Sequence, residues 1–136
     1  MNTSANTTKK LDTKVLLSAL WIVVMINILT ADVLSLNIPG SEELLKTTSV
    51  NTGLAIPQLM LVGAIMNELS IVMIILSRVF KRGVNRLVNI IVGLFTILYI
   101  WAGAAPYPHY TFIATVETLC LLLIIWNAWK WSGSEE

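Results

Sequence analysis

One cysteine and one histidine stand in 136 residues, and charged side chains make up only 12% of the chain. Cys120 alone cannot close an intrachain disulfide, so paired thiol–disulfide chemistry is excluded. His109 has no second histidine at ligand spacing, which leaves no metal site to nominate. No nucleophile elbow, P-loop, CxxC pair or zinc-protease helix occurs, so no catalytic residue and no cofactor is assigned. Basic residues interleaved with aromatics are missing outside the ends of the apolar stretches, which argues against nucleic acid as a partner. Position 2 is not glycine and no prenylation box is present, so lipid anchoring has no support. Soluble domains carry roughly a quarter charged residues. A chain this poor in charge belongs in another solvent.

What is present in quantity is apolar surface, 56% of the residues. It falls into four stretches, 15–36, 54–77, 84–104 and 110–131, each long enough to cross a bilayer, which takes about 20 mostly apolar residues. Of the nine basic residues, Lys9, Lys10, Lys14, Arg78, Lys81, Arg82, Arg86 and Lys130 fall on one side of these spans. Lys46 is the exception. The positive-inside rule then puts both termini in the cytoplasm. The expected fold is an all-α, up-down-up-down antiparallel four-helix transmembrane bundle over residues 11–131, in a cell membrane, with the lipid bilayer as its first partner. The first stretch reads as an uncleaved anchor. It is too long for a signal h-region, no small-x-small site follows, and Asp32 sits where cleavage would be sought.

Residues 1–10, rich in Asn, Thr and Ser, read as a disordered tail, with 132–136 as a second short cytoplasmic tail. The sequons at Asn2 and Asn6 read as chance matches on the cytoplasmic side. In the outer connection 37–53, Pro39-Gly40 marks a turn, and Ser41 fits an N-cap with Glu42 and Glu43 in the first turn of a short interfacial helix. Leu44 and Leu45 would lie against the bilayer. Pro57 falls in the first turn of the second span, where its missing N–H costs little. The tight basic connection 79–83 predicts that spans two and three are neighbours. Segment 105–109, with Pro106 and Pro108, reads as a rigid outer turn. Trp101, Tyr107, Tyr110, Trp126, Trp129 and Trp131 gather near the span ends, as interfacial belts do.

Lipid is as apolar as leucine, so membrane helices pack through small and polar residues. In the third span Asn85, Asn89, Gly93, Thr96 and Gly103 line one helical face, while Leu87, Ile91, Leu94 and Leu98 are expected to meet lipid. The stripe reads as interhelical packing or as ligand lining. Three carboxyls stand out: Asp32, Glu68 and Glu117. An acidic side chain inside a span costs about 2.5–3.5 kcal/mol on insertion scales, so each needs a partner, water or a proton. Asp32 lies roughly 6 Å from the outer end of its span and Glu117 roughly 10–12 Å, whereas Glu68 is roughly 20 Å deep. Glu117 shares a face with Ala114, Leu121, Ile124 and Ala128; Asp32 shares one with Ser18, Trp21 and Met25. Asp32 and Glu117 are therefore expected to meet in one outward-opening polar pocket, with Tyr99, His109 and Tyr110 at its mouth. Asn27, Asn67, Glu68, Asn89 and Thr96 are expected as buried polar groups. Solvation of Asp32 near the headgroups and packing of Glu68 against asparagine are the plainer alternatives.

The runs Leu11-Asp12 with Lys14, Leu17-Ser18-Ala19-Leu20-Trp21, Ala31-Asp32 and Pro39-Gly40 resemble the first span of a small prokaryotic membrane family, domain-of-unknown-function family 6326. The run from Val84 to Ile91 and the ending from Val116-Glu117 to Trp131 resemble it too. The resemblance covers nearly the whole chain and implies a four-span bundle of the prokaryotic cytoplasmic membrane with Asp32 and Glu117 in matching places. It implies no activity, and Glu68 has no counterpart in the pattern.

Three functions fit these residues. One is a bundle that holds a small amphipathic or lipid-like molecule near Asp32 and Glu117. Another is a proton-coupled small-molecule carrier, homo-oligomeric because one such bundle encloses little volume. The third is a non-catalytic membrane assembly subunit whose polar groups serve helix contacts.

Overall fold

In the computed structural model, residues 12–131 are described, and all their regular structure is helical. The expectations for residues 1–10 and 132–136 lie outside the described residues. Five helices follow in order: α1 (Thr13–Leu36), α2 (Ser41–Thr52), α3 (Ile56–Val79), α4 (Arg82–Ala102) and α5 (Pro108–Lys130). Four of them, α1, α3, α4 and α5, are long and apolar enough to cross a membrane. The chain has the build of a membrane-embedded protein.

Helix ends depart from the apolar windows by a residue or two, for local reasons. Asp12 caps α1 by accepting from the Lys14 N–H at 3.0 Å, so the helix begins ahead of its apolar run. Gln58 reaches back to the Ala55 N–H at 2.9 Å, and Pro57 fits the first turn of α3. α3 runs through Arg78, and α4 starts at Arg82, since backbone hydrogen bonding ignores the loss of hydropathy. Pro108, expected in a turn, opens α5 because its fixed φ suits the first helical position. Ser41 is not the N-cap of α2. Gly40 takes that position at φ 88°, a left-handed conformation that favours glycine, while the Ser41 hydroxyl donates to Leu36 O at 3.0 Å. Leu44 and Leu45 are half-buried.

On α4 the packing is inverted relative to a helix of a soluble protein. Asn85 and Asn89 are 0% exposed while Leu98 is 70% exposed. On α4, small and polar residues therefore make the helix contacts and large aliphatics face outward, as in a lipid-solvated bundle, while Leu17, Trp21, Met73, Leu121 and Ile124 of the other spans fill the rest of the interior. α1 packs broadly on α3 and α5, and α4 on α5. At the α4–α5 crossing, a Cβ on Gly93 would lie 3.0 Å from Ile125 Cγ1, so glycine sets how close these helices come. The Arg86 guanidinium donates to Ala128 O and Trp129 O, both at 2.9 Å, closing the C-terminal end of α5. Lys130 Nζ lies 4.1 Å from the centroid of the Trp126 ring.

α3 and α4 are neighbours, as their short link predicts, but they touch far less than α1–α3, α1–α5 or α4–α5, and a polar junction joins them near the link. There Asn85 Nδ2 donates to Ser77 O at 2.7 Å, and Asn89 Oδ1 accepts from Trp21 Nε1 at 2.7 Å and from Ser77 Oγ at 3.3 Å. Three expectations need correction here. Gly103 is exposed, since α4 ends at Ala102, and Ile100 takes its place on the buried face. Trp131 is buried with the core residues and does not belong to an outer belt. Glu68 is not buried: it sits two residues past buried Met66, about 200° around the helix, and is exposed.

Candidate functional site

Near the C-terminal ends of α1 and α4 and the first half of α5, the interior opens into a cavity of about 80 Å³. Its polar lining comes from Asp32, Tyr99, Tyr110 and Glu117, set among Ile28, Ala31, Ile100, Gly103 and Ala114. Each side chain is positioned by helical spacing. Ala114, Glu117, Leu121, Ile124 and Ala128 form the buried face of α5, so Glu117 is turned inward with the packing residues. Asp32 follows buried Ala31 and stays half-buried at the edge of the α1 face. Tyr99 precedes buried Ile100 in the last turn of α4.

Glu117 is the most enclosed of these polar groups. It is 2% exposed, and its Oε1 is buried with no hydrogen-bond partner. Tyr110 stands beside it with its hydroxyl committed to Ile100 O at 2.9 Å, which leaves the phenol oxygen free to accept but its proton occupied. Gly63 of α3 comes close to two of these side chains: a Cβ there would lie 3.9 Å from Asp32 Oδ2 and 3.8 Å from Tyr99 Oη. Two carboxyls and two phenol oxygens with no lysine, arginine or histidine in the lining leave acceptors in excess over donors, since the Tyr110 proton is spent on Ile100 O and the Tyr99 hydroxyl supplies a single proton. Such a lining suits a small cationic group. Among the described residues no three His, Cys, Asp or Glu side chains gather as a metal ion would require.

Size limits what can enter. A water needs about 10–15 Å³ of such space, whereas drug-sized ligands occupy pockets of about 300–1,000 Å³. The cavity therefore takes a few waters or one small cation, and an entire lipid-like molecule does not fit. A wider depression of about 460 Å³ lies at the α1–α2 turn, lined by Asn37, Pro39, Ser41, Glu42, Glu43 and Lys46 among others. It is a surface feature with charges of both signs.

Of the five side chains nominated for the pocket, Asp32, Tyr99, Tyr110 and Glu117 line one cavity and His109 does not. His109 Nε2 instead lies 3.2 Å from Ser35 Oγ, and its ring stacks on Tyr107 with centroids 5.5 Å apart. It links the end of α1 to the start of α5. Of the nominated buried polar groups, Asn89 and Thr96 are buried; Asn27 and Asn67 are half-buried, with Asn27 Nδ2 and Asn67 Oδ1 enclosed and unpartnered. Gly63 went unread. Its signal was present, as a lone glycine in the second apolar run marks where another helix approaches closely.

No curated protein and no solved structure shows a match to this chain. Residues 8–136 match a family of unknown function, DUF6326. The chain belongs to that family.

Proposed function

We propose that this chain is a multi-pass cell-membrane protein whose bundle binds a small cationic group, of the size of ammonium or methylammonium, between Asp32 and Glu117. Support for the orientation comes from the basic residues, gathered on the side where both termini and the α3–α4 link would be cytoplasmic. Contacts between Ser18 and Ile74, and between Asp32 and Gly63, support an antiparallel α1–α3 pair within an up-down-up-down order. The pocket then opens toward the outer face.

The observation that carries the reading is the enclosed Glu117 Oε1 with no donor, facing the same cavity as Asp32. A carboxyl buried without a partner is costly, so a fold retains one when something outside the chain completes it. A cationic donor does so for both acids at once. Below the cavity, Trp21 bonded to Asn89 fills the interior together with Val24 and Met73, all fully or almost fully buried. That closed floor favours binding over passage and stands against the carrier reading.

Thermal denaturation with a size series of cations tests this. Methylammonium should raise the melting temperature of the parent protein and leave Glu117→Gln unmoved, while tetramethylammonium should have no effect on either. Equal shifts in parent and variant, or none with any small cation, would overturn it.

A further inference from the structure

The spans bring most of their positive charge to one end of the molecule. Ser18 Oγ donates to Ile74 O, Asn85 Nδ2 to Ser77 O, and Arg86 to the Ala128 and Trp129 carbonyls. These bonds tie together the start of α1, the end of α3, the start of α4 and the end of α5. Lys14, Arg78, Lys81, Arg82, Arg86 and Lys130 all stand at that end. Asp12 is the only acid with them among the described residues, and its carboxylate already accepts from the Lys14 N–H. No hydrogen bond or ion pair engages the side chains of Arg78, Lys81 or Arg82 among the described residues.

Part of this charge is set against its own helix. The N-terminus of a helix carries positive potential, which favours acids in the first turn. α4 has no acid there and begins on Lys81 and Arg82, with Arg86 one turn later. Arg82 and Arg86 are four apart on one face, and like charges at that spacing repel. Arg86 spends only two of the five N–H groups of a guanidinium on the end of α5. Cations with donors to spare and no acid beside them are completed by an anion from outside the chain.

Apolar side chains border the pair directly. Leu87 follows Arg86 and is exposed, and so is Trp129, whose carbonyl Arg86 holds. Leu94 and Leu122, seven residues from Leu87 and from Trp129, continue those two exposed faces along α4 and α5. We infer that this end of the α4–α5 pair binds an anionic phospholipid, its phosphate between Arg82 and Arg86 and its acyl chains along Leu87 and Trp129. Lipid is the occupant because spans this apolar take it as their solvent, so it already stands where these cations meet hydrocarbon. A soluble anion would make no use of the apolar border. The inference needs only the membrane-embedded build; it holds for either orientation of the chain and is independent of what the Asp32–Glu117 cavity binds.

Native mass spectrometry of the protein in detergent, titrated with phosphatidylglycerol or phosphatidylcholine of identical acyl chains, tests the site. The parent should bind phosphatidylglycerol more tightly. One cation near a membrane surface is worth about fivefold in such binding, so Arg82→Gln should cut that preference by about fivefold. Arg82→Lys keeps the charge and should retain it. Lys46→Gln, which removes a cation beside Glu42 and Glu43 at the α1–α2 turn, should leave it unchanged. Thermal denaturation of Arg82→Gln should match the parent, since that side chain makes no bond within the described fold. Glycerol 3-phosphate, which carries the anion without the chains, should not displace the lipid. Equal affinity for the two lipids, a preference that survives Arg82→Gln, one lost equally in Arg82→Lys or Lys46→Gln, or displacement by glycerol 3-phosphate would overturn the inference.

Discussion

Glu117 occupies a place on α5 where a flexible apolar side chain would pack at lower cost. Its enclosed, unpartnered oxygen makes it a burden on stability that a binding role would explain. Glu117→Met, similar in volume, should therefore stabilise the fold by about 1–4 kcal/mol while abolishing cation binding. Denaturation in detergent micelles measures the first effect and calorimetric titration the second; a destabilised Met variant would make Glu117 a structural residue. Trp21 is the opposite case. Its indole N–H is spent on Asn89 Oδ1 at 2.7 Å in the buried junction, so Trp21→Phe should cost about 1–3 kcal/mol in the same assay. Asp32 and Glu117 were legible in the sequence because an acid in an apolar run has few explanations. Glu68 was misplaced because depth follows from counting residues, whereas facing does not. One step along a helix turns the side chain by about 100°, and half-buried Asn67 is its immediate neighbour.

Among the elements, α4 and α5 show how a membrane helix pair is specified without a hydrophobic stripe. The spacing of Asn85, Asn89, Gly93 and Thr96 was enough to assign the inner face of α4, and those four residues are buried. Gly93→Leu should destabilise the bundle by about 1–3 kcal/mol, since even a Cβ there lies 3.0 Å from Ile125. A variant that melts with the parent would contradict this crossing. Arg86 reads in the sequence only as topology-setting charge. In the fold it also holds the Ala128 and Trp129 carbonyls at the end of α5. Arg86→Met should fray that end at a cost of about 1 kcal/mol, because the outer of its two bonds faces solvent. Amide exchange over Asn127–Lys130 should rise selectively. The extent of the α3–α4 contact was harder to foresee than their being neighbours. A two-residue link, Phe80–Lys81, fixes proximity at one end only, and the rest of the contact depends on side chains that spacing alone does not pair.

At the scale of the whole molecule, basic charge supports the proposed orientation, and the interior combines polar groups such as Asn85, Asn89 and Thr96 with Leu17, Trp21, Met73 and Leu121. Single cysteines at Thr48 and at Lys81 in a Cys120→Ser background should label from opposite sides of the membrane, and labelling of both from outside would reverse the proposed topology. The cavity's existence was legible as two acids at similar depth on different spans. Its size was not, because volume depends on how Tyr99, Ile100, Tyr110 and Ala114 close around those acids. That size supports the proposed small cationic group over a whole lipid-like molecule. Isothermal titration of methylammonium into the protein reconstituted in nanodiscs should show saturable binding at one site per chain, lost in Glu117→Gln and in Ala114→Leu, which adds bulk to a residue of the cavity lining. Identical heats from the parent and from both variants would contradict it.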